Sequence, residues 1–337
     1  MFSLNSSVQW QLYLFWWPIQ LQQHDFSKVS FVEIDELFID QRLDNFLIRH
    51  LKGVPKSRIY NLLRKGEIRV NKSRAKPNRR LQAGDVLRIA PIRTSTDPTP
   101  GTLSKQLSNL LKKNILFEDD VLIAFNKPSG LAVHGGSGVS MGAIEAFRAE
   151  RPQERFLELV HRLDRDTSGC LLLAKNRQVL ISMQKAIQLN QVNKYYQALV
   201  SGHWPKGKAT VNAPLRKNQL VSGERFVKVD ADGKPSVTHF RTVTRYAAAT
   251  LLDIELETGR THQIRVHCQF SGHPIAGDEK YGHSTFNDEL KSAGCSRLFL
   301  HAIGLKFKHP ISNLVVDVRA PLPSELEQVL MRLEASA

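Results

Sequence analysis

The chain has 337 residues, 42% hydrophobic and 23% charged, a composition that excludes a disordered polymer and suggests two globular domains. Its 47 Lys and Arg exceed its 32 Asp and Glu, and the resulting +15 points to a polyanionic partner, either nucleic acid or an acidic membrane face. Three cysteines without paired spacing, Cys170, Cys268 and Cys295, exclude a disulfide scaffold and a cysteine-based zinc ribbon, and they suit a reducing compartment.

The first stretch, residues 1–28, carries the run Leu12-Tyr13-Leu14-Phe15-Trp16-Trp17-Pro18. It falls short of the ~18 apolar residues of a membrane span. It also lacks the basic start of a signal peptide, since no Lys or Arg precedes Lys28. A disordered tail or an extension from an upstream start is expected, and it is set aside from the fold.

Residues 29–93 read as a small module. Leu43, Phe46, Leu47 and Leu51 recur at helical spacing. Pro55 opens a second helix with Ile59, Leu62 and Leu63 on its buried face, and Gly66 ends it. Ile68 and Val70, then Val86, Leu87 and Ile89 after the Gly84-Asp85 turn, read as short strands. Between Gln41 and Arg93 lie fifteen Lys and Arg against three acids, a surplus of +12. The basic residues fall between the apolar positions and are therefore expected on the surface. Arg42, Lys56, Arg58, Arg64, Lys65, Arg69, Lys72 and Arg74 are candidates for a phosphate-binding face.

Residues 94–114 read as a linker, from the polar, Pro-rich Thr94-Ser95-Thr96-Asp97-Pro98-Thr99-Pro100-Gly101. A nearly neutral domain over 115–337 follows. Strand patterns dominate it: 115–117, 121–125, 157–160, 170–174, 197–200, 252–256 and 314–318. Two helices are expected, one after a cap at Asn176 with Val179, Leu180, Met183 and Ile187, the other over 325–333. Many strands and few helices predict an α+β fold with a mixed, mainly antiparallel sheet and flanking helices.

No G-x-G-x-x-G after a strand, no G-x-x-x-x-G-K-[ST] and no H-E-x-x-H occurs, so neither a nucleotide cofactor nor a metal is expected. Gly135-Gly136-Ser137-Gly138 reads as a flexible loop. The block Val160-His161-Arg162-Leu163-Asp164-Arg165-Asp166-Thr167-Ser168-Gly169-Cys170 sets two carboxylates among basic residues between apolar strands. A carboxylate beside Arg stays ionised and can act as a nucleophile or an electrostatic stabiliser. A surface loop of Arg–Asp ion pairs is the competing reading. A second polar block, Thr258-Gly259-Arg260-Thr261-His262-Gln263-Ile264-Arg265, could bring Arg265 to the first loop.

The module resembles the S4 RNA-binding domain, in Arg42-Leu43-Asp44-Asn45-Phe46-Leu47, Gly66-Glu67-Ile68-Arg69-Val70-Asn71 and the closing Gly84-Asp85. That resemblance implies binding to structured RNA. His161–Gly169 resembles the H-R-L-D-x-x-T-S-G signature of the RluA-type pseudouridine synthases. Further marks occur in order: Asn126-Lys127-Pro128-Ser129-Gly130, Lys194-Tyr195-Tyr196, Thr258–Arg265, His273-Pro274-Ile275-Ala276-Gly277-Asp278, and Tyr281-Gly282. The detail of Leu51–Ser57, Ala132–Gly138 and Arg155–Val160 is closest to the branch acting on the large ribosomal subunit.

The resemblance implies that Asp164 is the catalytic carboxylate, Arg265 its partner, Tyr196 the stacking aromatic and Arg162 a base-flipping residue. Only the K-x-Y spacing selects Tyr196 over Tyr195. Asp166 is expected to be structural. The resemblance further implies a cytoplasmic, monomeric, cofactor-free enzyme acting on 23S rRNA or its large-subunit precursor, at three uridines. A binding-only ribosome assembly factor and an S4-containing rRNA methyltransferase are the alternatives. The first would have no reason to keep Asp164, Tyr196 and Arg265 together, and the second needs a glycine-rich nucleotide loop. Departures from the family pattern are the N-terminal extension and Cys170, where an aliphatic residue is usual.

Overall fold

The structure is a computed structural model and describes residues 28–51, 54–92, 103–135, 141–207, 209–219 and 225–335. The expectations for residues 1–27, for the Pro-rich stretch 94–101 and for Gly136-Ser137-Gly138 lie outside these. The chain divides into two compact units between residues 97 and 98. No helix among the described residues is long and apolar enough to cross a membrane.

In the first unit, β1 (Ser30–Glu33), α1 (Leu43–His50), α2 (Lys56–Lys65), β2 (Ile68–Val70), β3 (Ser73–Arg74) and β4 (Val86–Ile89) follow in order. The strands form one antiparallel sheet, β1-β4-β2-β3. The two helices bury Leu43, Phe46, Leu47, Ile59, Leu62 and Leu63 in one cluster with Ile68, Val70, Leu87 and Ile89 of the sheet. These are the apolar positions that the spacing selects. Gly66 ends α2 in the left-handed region, φ 74°, where a side chain would be strained. Asn71 and Lys72 both have positive φ and make the two-residue turn between β2 and β3. Asn71 Nδ2 donates to Asp85 Oδ1 (2.7 Å), and the Val86 amide donates to Asn71 Oδ1 (2.8 Å). Asp85 also accepts from Arg79 and from the Gln82 amide. The Val-Asn and Gly-Asp marks thus form a polar brace between two turns, with Asp85 buried.

The second unit begins with α3 (Lys105–Lys113), capped by Ser104, whose hydroxyl accepts from the Leu107 amide (3.1 Å). This corrects the linker expected over 94–114. Leu103, Leu107, Leu110 and Leu111 follow a helical stripe, and Leu111 is buried in the core of this unit. The Pro-rich stretch before it drew the linker reading too far.

Then come β5 (Ile115–Glu118), β6 (Leu122–Lys127), α4 (Ala143–Glu150), β7 (Glu158–Leu159), β8 (Ser168–Ala174), α5 (Arg177–Gln188) and β9 (Asn193–Ser201). Next are β10 (Thr210–Asn212), β11 (Leu215–Gln219), β12 (Arg225–Val229), β13 (Val237–Arg245), β14 (Ala249–Leu256) and α6 (Gln263–Phe270). The chain closes with α7 (Ser284–Ser292), β15 (Leu300–Lys308), β16 (Val315–Arg319) and α8 (Ser324–Ala335).

The main sheet runs β10-β13-β14-β9-β15-β8-β6-β5, with β16 on β15 and β7 on β8. Every pairing is antiparallel except β8 with β15, so the expected mixed, mainly antiparallel sheet is what forms. β11 and β12 make a separate hairpin. The two expected helices are present, and Asn176 caps α5 by accepting from the Val179 amide (2.8 Å). Helices α4, α6 and α7 and strands β10–β13 and β15 were not expected. α6 buries Gln263, Ile264, Arg265, Val266, His267 and Cys268 in succession, so it carries no amphipathic stripe to read. In β15, Gly304 lies at a register shift against β9, which breaks the strand signal.

Gly169 sits at the parallel junction, opposite Ala302, with φ 109°. A Cβ there would lie 2.2 Å from the Ala302 carbonyl oxygen. Gly169→Ala should therefore destabilise the second unit by more than about 2 kcal/mol, through combined strain and overpacking, read as a lower urea midpoint.

Candidate active site

Residues 160–167 form the loop between β7 and β8 that carries Asp164. Its backbone is held from several sides. At its start, the Val160 amide donates to Leu172 O (2.9 Å), and His161 Nε2 accepts from the Leu172 amide (3.1 Å). Burial pushes the His161 imidazole down to about 4, which keeps it a neutral acceptor. At its turn, Arg165 O accepts from Lys127 Nζ (2.8 Å) and the Gly130 amide (2.9 Å), and Asp166 O accepts from Ser129 Oγ (2.7 Å). Lys127 is fully buried and also donates to Pro128 O and Leu131 O, both at 2.9 Å. This gives the Asn-Lys-Pro-Ser-Gly segment its physical purpose. At the loop's end, Arg297 donates to Ser168 Oγ (3.1 Å), and that hydroxyl donates to His301 Nδ1 (2.8 Å) on β15.

The Thr258–Arg265 block ends in the first turn of α6. Gln263 organises it: its carbonyl accepts from Thr258 Oγ1 (2.8 Å) and the Arg260 amide (2.9 Å). Its amide donates to Val237 O and Thr238 Oγ1, both at 2.9 Å. Arg265 is only 7% exposed. Its Nε and Nη2 donate to the two oxygens of Asp278, each at 2.7 Å, and its Nη1 lies 3.6 Å from Asp164 Oδ2. Burial works against the guanidinium charge, but the hydrogen bonds and charge of Asp278, together with Asp164 and Tyr281, outweigh it and the pKa is raised. His262 Nε2 lies 3.9 Å from Asp164 Oδ1.

Asp164, Arg162 and Tyr196 line one cleft of about 470 Å³, walled on its apolar side by Leu163, Leu256 and Leu300. That volume is in the range of sites for a single small molecule. Tyr196 is buried on β9, and burial followed by nearby Asp164 raises its phenol pKa, so it stays protonated near neutrality. Tyr195 does not line the cleft and lies under the Arg319 guanidinium, 4.9 Å from its ring centre. Arg162 is exposed, with no ion-pair partner among the described residues. Asp166 pairs with Arg165 at 3.2 Å on the surface. Burial pushes the Cys170 thiol up to about 12, which makes it inert as a nucleophile.

Asp278 and His262 were missed as site residues. Each stands in a block recognised as a motif, but nothing local marks either as a partner of Arg265 or Asp164.

In the first unit all eight candidate basic residues are exposed. Arg42 is held by two hydrogen bonds to Asp44 (2.6 and 3.1 Å). Arg64 donates to Asn61 and Arg69 to Gly66 O. Lys56, Arg58, Lys65, Lys72 and Arg74 have no ion-pair partner among the described residues, and Lys72 stands at the tip of the β2–β3 turn.

The family profile described as RNA pseudouridylate synthase matches residues 121–270, which span both halves of the cleft, and the S4 domain profile matches 41–87. The chain is 52% identical over 304 residues to ribosomal large subunit pseudouridine synthase C of Pasteurella multocida, covering 90% of this chain and 93% of that one. The chain belongs to the RNA pseudouridylate synthase family.

Similar enzymes of the same name occur in Haemophilus influenzae, 50% identical over 92% of this chain and 97% of that one, and in Vibrio cholerae, 51% identical over 91% and 98%. Among solved structures, human RNA pseudouridylate synthase domain containing 4 superposes with a TM-score of 0.57 at 25% identity, covering 68% of this synthase and 96% of that chain. This chain thus combines an S4 domain with a mixed-sheet pseudouridine synthase domain.

The Lys127 clamp gives a pH signature. Burial pushes its ammonium from 10.5 down to about 7, against the pull of Asp166 and Asp164. Between those values the unfolded chain binds more protons than the folded synthase, so this residue's contribution to stability rises with pH. In urea titrations from about pH 7 to pH 10, wild type should gain on Lys127→Met as pH rises, whereas a constant difference would contradict the shift.

Proposed function

We propose that the protein converts uridines of 23S rRNA to pseudouridine, at three positions, with Asp164 as the reacting carboxylate. The single observation that carries this reading is the chain Asp278–Arg265–Asp164, which presents one carboxylate in a nucleotide-sized cleft. The number of positions follows the resemblance to the large-subunit branch of the family.

In the reaction the C1′–N1 bond breaks, the uracil turns, C1′ joins C5, and C5 loses a proton while N1 gains one. Nothing enters from outside, so the balance calls for no cofactor. The target base must leave its stack, at about a few kcal/mol. Stacking on the neutral Tyr196 ring offsets about 1–3 kcal/mol of that. Arg162 lines the cleft, which supports a role in holding the space or phosphate of the extruded nucleotide. Asp164 then assists departure of the base or attacks the nucleoside, with Arg265 beside it balancing its charge.

We assign affinity to residues 29–93 and chemistry to 115–337, with α3 belonging to the second. Exposed Arg58, Arg64, Lys65 and Lys72 supply sequence-independent phosphate contacts. By its resemblance to the family, the protein acts as a monomer on rRNA in the cytoplasm.

Asp164→Asn should abolish tritium release from 23S rRNA labelled at uridine C5 while leaving RNA affinity within about twofold. Release at the wild-type rate would refute the assignment. Replacing Arg58, Arg64, Lys65 and Lys72 together with Gln should weaken rRNA binding and reduce the slope of log affinity against log salt by up to about four. The rate at saturating RNA should be unchanged.

A further inference from the structure

We propose that His262 is a second positioning residue for Asp164, with its proton held on Nε2 by a relay that starts in the β11–β12 hairpin. The inference rests on the reading of Asp164 as the reacting carboxylate.

The relay has three links. The Val227 amide of β12 donates to the Tyr281 hydroxyl oxygen (2.9 Å). That hydroxyl lies 2.8 Å from His262 Nδ1. A phenol has one hydrogen, and with Val227 donating to its oxygen and no other acceptor for that hydrogen among the described residues, it donates to Nδ1. A neutral imidazole accepting at Nδ1 carries its hydrogen on Nε2. Nε2 faces Asp164 Oδ1 at 3.9 Å, while Arg265 Nη1 faces Oδ2 at 3.6 Å. Each carboxylate oxygen therefore faces its own donor group, at ion-pair distance. Two donors fix the rotation of a carboxylate about its Cβ–Cγ bond, and one does not. Both contacts shorten to hydrogen bonds in the reacting complex.

Independent features hold the relay in place. Tyr281 is 4% exposed and packs with Leu215 and Val227 of the hairpin and Val266 of α6. Its amide donates to Asp278 Oδ1 (2.9 Å), so the carboxylate that clamps Arg265 also seats Tyr281. His262 has φ 52°, left-handed and strained for a side-chain-bearing residue, at the point where the chain enters α6. The charged and titratable groups acting on His262 are Asp164 from the catalytic loop, Arg265 from α6, and Asp278, Lys280 and Tyr281 from the turn that follows. Burial, Arg265 and Lys280 lower its pKa against Asp164 and Asp278, which favours the neutral ring. His262 also lines the cleft, and its effect on the reaction runs through Asp164.

The test uses full-length enzyme in excess over C5-tritiated 23S rRNA, with single-turnover rates from about pH 5.5 to 8.5 and RNA affinities measured alongside. Active wild type and inactive Asp164→Asn bracket the series. His262→Ala and His262→Asn should slow release about 10- to 100-fold with affinity within about twofold. His262→Gln, whose amide nitrogen reaches the Nε2 position, should return to within about fivefold of wild type. Tyr281→Phe frees the tautomer, so its rate should fall about tenfold near pH 8, and the deficit should narrow as pH falls because an imidazolium carries hydrogen on both nitrogens.

The proposal is overturned if His262→Gln is no better than His262→Ala, if the Tyr281→Phe deficit is constant with pH, or if the losses lie wholly in RNA affinity. A wild type that released no tritium would instead overturn the reading of the enzyme itself.

Discussion

The buried guanidinium of Arg265 is the constraint around which the catalytic unit is arranged. A charge in that position is tolerated only when paired and fully hydrogen-bonded, because desolvation costs several kcal/mol per ion. Asp278 meets the demand with both oxygens at 2.7 Å, and the remaining nitrogen is left to face Asp164. The turn holding Asp278, the helix holding Arg265 and the loop holding Asp164 must all come together for that charge to be buried. The interaction that solves a solvation problem also assembles the site.

The loop that carries Asp164 is positioned by a complementary device. Loops are ordinarily mobile because their backbone groups face water. Here Lys127, Ser129 and the Gly130 amide take the loop carbonyls, and Ser168 locks the exit to His301 of β15. The loop thereby gains the rigidity of the sheet, which matters because small displacements of a reacting group cost large factors in rate. The same arrangement explains the glycine of the signature. At Gly169 the backbone of β8 passes too close to Ala302 for any side chain.

The first unit solves a different problem. It must present many like charges without losing its core. The Asn71–Asp85 brace and the apolar cluster under α1 and α2 carry the fold, so Lys56, Arg58, Lys65, Lys72 and Arg74 can stay on the surface. Arg42 and Arg79, by contrast, are paired with the acids Asp44 and Asp85 and serve the module's own structure. The surplus of positive charge is thus separated from the charges that hold the fold.

What could be read from the chain alone was what local rules govern. The stripes of α1, α2 and α5, the glycine ending α2, the Asn176 cap and the strands β2, β4, β6 and β8 follow from spacing and backbone preference over a few residues. The motifs also named Asp164, Arg265 and Tyr196 through a resemblance. The stripe of α3 was present and overlooked. Buried on all sides, α6 has no amphipathic stripe, and β15 is interrupted at Gly304. Asp278 and His262 looked ordinary because each acquires its role from residues distant in sequence. The sequence by itself determined the elements that local rules govern and the basic module, and through a resemblance it pointed to Asp164, Arg265 and Tyr196 as candidate site residues. Only the tertiary structure decided which nitrogen faces which oxygen, because a buried charge selects its partners by proximity in space and not by neighbourhood in the chain.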